Sequence, residues 1–166
     1  GFYYDSTIEG TRINVKAISG FTPLFAGVVP YVQSARMVQH LKDEKKFGSS
    51  LPIPSVSLDD ASFELDMWRG PVWLNYNYLI CLGLIEYGYK ELAFDIAKKT
   101  IREVERWYLD RGTIFEYYDP FCVTSPDKLL RKGRLSLDGG PYVGPIKDFN
   151  WSAAMYIAMV ELLGKK

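Results

Sequence analysis

Two consecutive segments of unlike character constrain the fold of this chain more than anything else in it. Pro71 to Tyr87 reads PVWLNYNYLICLGLIEY, with apolar or aromatic side chains at nearly every position, so as a helix it must be buried nearly all round. Lys90 to Asp110 instead places Leu92, Ala93, Ile96, Ala97, Ile101, Val104 and Trp107 or Tyr108 on one helical face. Asp95, Lys98, Lys99, Arg102 and Arg106 fall on the other. Gly88 between them suits a tight reversal, which makes a hairpin of an inner helix backed by an outer one. The inner segment is no membrane span: its most apolar run, Leu79 to Ile85, falls far short of the ~20 residues a bilayer requires.

The remaining residues fit more helices joined by long loops. Gly1 to Ser19 reads as a loop with a short extended piece. Thr22 then stands as a possible N-cap with Pro23 at the first helical position, where its missing N–H costs nothing. Pro30 interrupts this turn, and a second amphipathic helix is expected from about Tyr31 to Lys42. Gly48 to Arg69 is a long Ser- and Pro-containing connection carrying Asp59, Asp60, Glu64 and Asp66. Thr113 to Tyr118 is either a brief strand or an ordered loop. A last helix runs from about Asn150 to Leu163, behind the approach DGGPYVGP at Asp138 to Pro145, and Gly164 ends it. On pattern alone an α/α toroid and an irregular helical bundle fit equally well.

Charge and composition narrow the chemistry. Twenty Lys and Arg balance twenty Asp and Glu, so nothing displaces counterions from a nucleic acid. His40 is the only histidine, which rules out a multi-His metal site. Cys81 and Cys122 cannot build a disulfide framework or a zinc site by themselves, and a reducing, cytoplasmic setting suits them. Carboxylates remain as the main reactive groups, in a chain with twelve Tyr, nine Phe and four Trp. That pairing suggests sugars, although a bulky core has the same composition.

Several residues stand out. Asn75 and Asn77 lie inside the apolar helix, where each amide must find a partner or cost about 1–3 kcal/mol. Either they bond a loop carbonyl or that helix end lines a polar cleft. Trp68, Arg69 and Trp73 gather two indoles and a guanidinium at its start, an arrangement suited to gripping a polyhydroxylated ring; Arg stacked on an aromatic ring is the plainer alternative. Glu116 sits among Phe115, Tyr117 and Tyr118, where partial desolvation favours proton transfer; a surface carboxylate is the plainer alternative. The acidic residues of the long loop lack calcium-loop spacing, His40 reads as a surface residue, and Ser152 as a helix-start hydroxyl.

Set side by side, WRGPVWLNYNYLICLGLIEYGYKELA (Trp68 to Ala93), IFEYYDP (Ile114 to Pro120) and DFNWSAAM (Asp148 to Met155) resemble the C-terminal part of inverting α-glycosidases of the glycoside hydrolase 63 type. Trehalases and debranching glucosidases are more distant relatives. FYYD at Phe2 to Asp5, ISGFTPLFAGV at Ile18 to Val28 and the loop Leu51 to Trp73 agree in register. The resemblance implies an all-α fold, part of an (α/α)6 barrel of which about five helices are present, and residues 1–166 as the C-terminal portion of one catalytic domain. It implies an inverting mechanism on α-glucosides or α-mannosides, in which an acid and a base stand roughly 6.5–9.5 Å apart. Glu116 matches the general base, and Trp68, Arg69, Trp73, Asn77, Tyr118 and Trp151 match positions lining the sugar pocket. No cofactor or metal is implied.

The family's acid, an Asp in a motif resembling SG-x-D-x-S-P-R, has no counterpart here, and the connection Phe121 to Pro145 is longer than expected. The chain is therefore expected to be inactive alone, and to self-associate or pair with the missing N-terminal part through the apolar inner helix. A non-catalytic carbohydrate-binding or helical interaction module is the alternative.

Overall fold

A computed structural model of the chain describes residues 1–132 and 144–164. Its elements are five helices: α1 (Thr22–Phe25), α2 (Tyr31–Lys42), α3 (Leu74–Glu86), α4 (Lys90–Arg111) and α5 (Asn150–Gly164), with short 3-10 turns at Ile18–Phe21 and Pro126–Lys128. The described residues form isolated β-bridges and no extended strand.

The hairpin expected from periodicity is the centre of the fold. α3 packs against α4, α1 and α5, and α4 against α5. Gly88 takes φ +83°, a left-handed conformation that a side chain disfavours, and the Tyr89 N–H closes the turn on the Leu84 carbonyl at 2.8 Å. α3 begins three residues later than Pro71, because Val72 pairs with Tyr118 (N–H to carbonyl 2.8 and 3.1 Å) and bridges Pro54 in extended geometry. Thr22 does not cap α1: it is the first helical residue, and its hydroxyl donates back to the Ser19 carbonyl at 2.7 Å. The DGGPYVGP approach to α5 lies, up to Val143, outside the described residues.

α3 is not buried all round. Leu74, Ile80, Cys81 and Leu84 are buried, but Tyr76, Tyr78, Leu79, Leu82 and Ile85 are only half-buried. The larger uncovered apolar surface is on α5, an almost wholly apolar helix in which Ser152 and Met159 alone are buried while Trp151, Ile157 and Val160 are exposed. Cys81 is a packed thiol that burial pushes up to about 12 in pKa. α1 crosses α3 at Gly83, where an added Cβ would fall 2.7 Å from the Leu24 carbonyl carbon and the Phe25 nitrogen. Gly83→Ala is expected to destabilise the chain by about 1–3 kcal/mol, through forced separation of two backbones. An unchanged urea midpoint would mean that α1 retreats freely.

The N-terminal segment is tied down by Phe2, whose ring lies 5.0 Å from Phe21, 5.6 Å from Phe47 and 5.3 Å from His40, centroid to centroid. His40 is thus half-buried and not the surface residue expected. Burial first, then the charges of Lys46 and Lys16, hold its pKa below the ordinary value of 6.5, with Asp59 opposing. The unfolded chain then binds this proton at higher pH than the folded one. Stability should fall as pH drops from 6.5 through the lowered value and be unaffected by this group above 6.5. Urea midpoints across that window test this, and His40→Gln should flatten the slope.

Candidate active site

The start of α3, the end of α4 and the start of α5 meet at one end of the fold, and the chemistry-bearing residues lie there. The link is Thr113–Tyr118, which leaves α4 and runs between two neighbours. On one side Val72 pairs with Tyr118. On the other, the Phe149 N–H bonds the Ile114 carbonyl (3.0 Å) and the Glu116 N–H bonds the Ile146 carbonyl (3.0 Å). The Asp148 N–H donates to the Thr113 hydroxyl (2.9 Å), which donates to the Asp148 carboxylate (2.8 Å). Phe115, Tyr117 and Tyr118 are fully buried, so the segment is clamped by its side chains as well.

Glu116 is held at several points. Its carbonyl accepts the Ser152 hydroxyl at 3.2 Å, so Ser152 does more than start a helix. Its carboxylate, only 5% exposed, accepts Arg131 Nε on Oε2 at 3.2 Å, Arg131 Nη2 on Oε1 at 3.4 Å and the Ile146 N–H on Oε2 at 3.1 Å. The carboxylate in turn raises the pKa of the Arg131 guanidinium. Glu116 is therefore not the exposed surface carboxylate of the plainer reading.

Beside it lies an aromatic stack. The Trp68 and Trp73 rings are 3.6 Å apart and 6° from parallel, and Tyr117 packs on Trp73 at 5.1 Å. Trp73 is buried, its indole N–H bonded to the Met67 carbonyl at 3.0 Å, so it backs the Trp68 ring. Trp68, 39% exposed, carries the accessible face, and Trp151 at the start of α5 is also exposed. Arg69 is not stacked on these rings as a cation–π partner; its guanidinium bridges Glu64 (2.6 Å) and Asp66 (2.9 Å) and braces the loop behind Trp68.

Two further expected pocket residues are buried. Asn77 is fully buried: its amide donates to the Pro52 carbonyl (3.1 Å) and the Thr100 hydroxyl (3.0 Å), so it ties the long loop to α3 and α4 and faces no cleft. Tyr118 is also fully buried, and its hydroxyl accepts the Phe115 N–H at 3.0 Å. Of the loop acids, Asp59 pairs with Lys16 Nζ at 2.7 Å and Asp60 accepts the Lys16 N–H at 2.8 Å, which makes them fasteners of the loop. Among the described residues no three His, Cys, Asp or Glu side chains come together as a metal site. Of the partners of Glu116, Ser152 falls within DFNWSAAM, but no motif marks Arg131 or Ile146, and only the folded chain brings them to the carboxylate.

Residues 1–152 match the family model described as the mannosylglycerate hydrolase MGH1-like glycoside hydrolase domain. The chain belongs to this family. Mannosylglycerate hydrolase MGH1 of Selaginella moellendorffii is 35% identical over 155 residues, covering 91% of this chain and 26% of that protein. Mannosylglycerate hydrolase of Thermus thermophilus is 32% identical over 159 residues, covering 93% of this chain and 32% of that protein. The crystal structure of a GH63 mannosylglycerate hydrolase from Thermus thermophilus in complex with glucose superposes with a TM-score of 0.70 at 29% identity, over 95% of this chain and 35% of that one. This MGH1-like glycoside hydrolase chain is thus all-helical and part of an (α/α)6 barrel. It spans about a quarter to a third of the length of the curated relatives it matches.

Proposed function

We propose that this chain is the general-base portion of an inverting glycoside hydrolase acting on α-linked mannosides or glucosides, with Glu116 as the base. The acid lies outside these residues. The observation that carries the reading is the clamped Glu116 carboxylate at the helix end that also presents Trp68, in a chain whose family consists of glycoside hydrolases. Apolar ring faces and a fixed carboxylate are what a pyranose and its attacking water require. Trp68 and Trp151 are the residues we assign to sugar contact; Trp73 and Arg69 support Trp68. A small glycoside or oligosaccharide is the partner, without nucleic acid.

The stereochemical outcome tests this in the complete glycosidase. Proton NMR of the first product from an α-linked substrate should show the β-anomer, and an α-anomer would end the inverting assignment. The chain alone is expected to show no hydrolysis, since the acid is not among its residues.

The exposed apolar side of α5 supports a further expectation, that the isolated chain self-associates or pairs with the remaining helices of the barrel. Light scattering reads this directly, and a monodisperse monomer would contradict it. Among the described residues no helix is long and apolar enough to cross a membrane. Both cysteines are free thiols, Cys81 buried and Cys122 half-buried, which supports a reducing, cytoplasmic location.

A further inference from the structure

A general base must keep the plane of its carboxyl group fixed, with one oxygen turned to water. Arg131 forks onto the Glu116 carboxylate through Nε and Nη2, at 3.2 and 3.4 Å, and two such parallel bonds form only when guanidinium and carboxylate are close to coplanar. The Ile146 N–H adds a second donor to Oε2 at 3.1 Å. Both lone-pair directions of Oε2 are then filled, and Oε1 keeps the capacity to accept a proton.

Arg131 is itself delivered by a fastened segment. The Leu130 N–H bonds the Leu65 carbonyl (3.1 Å), while the Leu130 carbonyl accepts the Met67 N–H (3.2 Å) and the Tyr117 hydroxyl (2.7 Å). Leu129 is buried against Trp73 and Tyr117. The guanidinium therefore approaches Glu116 from the aromatic cluster that underlies Trp68, with a side chain only 25% exposed. A solvated surface arginine contributes little to orientation; one whose preceding residue is anchored through both its N–H and its carbonyl, and which is paired to a buried carboxylate, contributes a fixed direction.

We propose that Arg131 is a positioning residue for Glu116, orienting the carboxylate so that Oε1 takes the proton of the attacking water. The proposal rests on Glu116 being the base. In the step, the water oxygen forms its bond to the anomeric carbon and its proton passes to Oε1. The bond from that carbon to the leaving oxygen breaks, the electron pair stays on the leaving oxygen, and that oxygen takes a proton from the acid.

The test uses the complete glycosidase with α-mannosyl fluoride and α-glucosyl fluoride, whichever is cleaved faster, because fluoride departs without help from the acid. Arg131→Gln should lower kcat by about 100-fold with KM nearly unchanged, as expected for a misplaced reacting group. Arg131→Lys should recover part of the loss. Glu116→Gln/Arg131→Gln should be no slower than Glu116→Gln alone, since a residue acting through another adds nothing once that other is gone. A near-normal Arg131→Gln enzyme beside a disabled Glu116→Gln enzyme would overturn the role of Arg131 and leave the base in place. A near-normal Glu116→Gln enzyme would overturn both. If circular dichroism shows Arg131→Gln unfolded, Arg131→Lys decides: a point charge cannot fix the plane, so kcat should fall while KM holds, and an unchanged kcat would overturn the proposal.

Discussion

With Glu116 as the proposed base, its replacement by Gln in the full-length protein is expected to lower kcat by about 10²–10⁴-fold, the range a positioned acid or base contributes. The amide keeps the shape of the carboxylate and one of its acceptors, but cannot take a proton from water. The Ser152 and Ile146 bonds to the Glu116 backbone do not involve the side chain, so the Thr113–Tyr118 segment should stay in place. The sugar contact proposed for the exposed Trp68 face should also persist, which places the expected loss in kcat and leaves KM little changed. Initial rates with α-mannosyl and α-glucosyl substrates measure this. A loss of less than tenfold would remove Glu116 from the mechanism.

Phe47→Ala should have the largest effect on stability. The ring is fully buried, 4.9 Å from Phe21 edge to face and 5.6 Å from the ring of Phe2, and its carbonyl accepts the Ile53 N–H at 2.8 Å. Removing it opens a cavity where three segments meet: the N-terminal strip, the turn before α1 and the start of the long loop. Deletion of a buried aromatic ring costs about 3–5 kcal/mol, a large share of the stability of a domain this size. Urea unfolding followed by tryptophan fluorescence would report it, together with loosening of the loop that carries Trp68. A loss below about 1 kcal/mol would mean that the surrounding rings collapse into the space at little cost.

What could be read in the residues was local. The contrast between Pro71–Tyr87 and Lys90–Asp110 depends on side chains within a few turns of each other, and the α3–α4 hairpin follows it closely. α3 starts late because Val72 answers to Tyr118, a partner remote in the chain. Asn77 stood out correctly as an amide in an apolar helix, but the choice between cleft and loop carbonyl turned on Pro52, 25 residues away. The Glu116 site shows the same division. Its aromatic neighbours were visible in IFEYYDP, while Arg131, Ile146 and Ser152 reach it across 15, 30 and 36 residues. Periodicity carries no information at such separations; only the folded chain brings those donors to one residue.

The near-parallel contact of Trp68 with Trp73 has an optical consequence. Two indoles that close share their excited states, and where their transition moments are rotated relative to each other within the parallel planes the coupling gives paired ultraviolet dichroism bands of opposite sign. One indole of the pair is buried and fixed, the other sits at the solvent boundary, so a sugar ring settling on Trp68 would retune the pair without any label. The pair is thereby a built-in chromophoric reporter for the sugar contact proposed at Trp68.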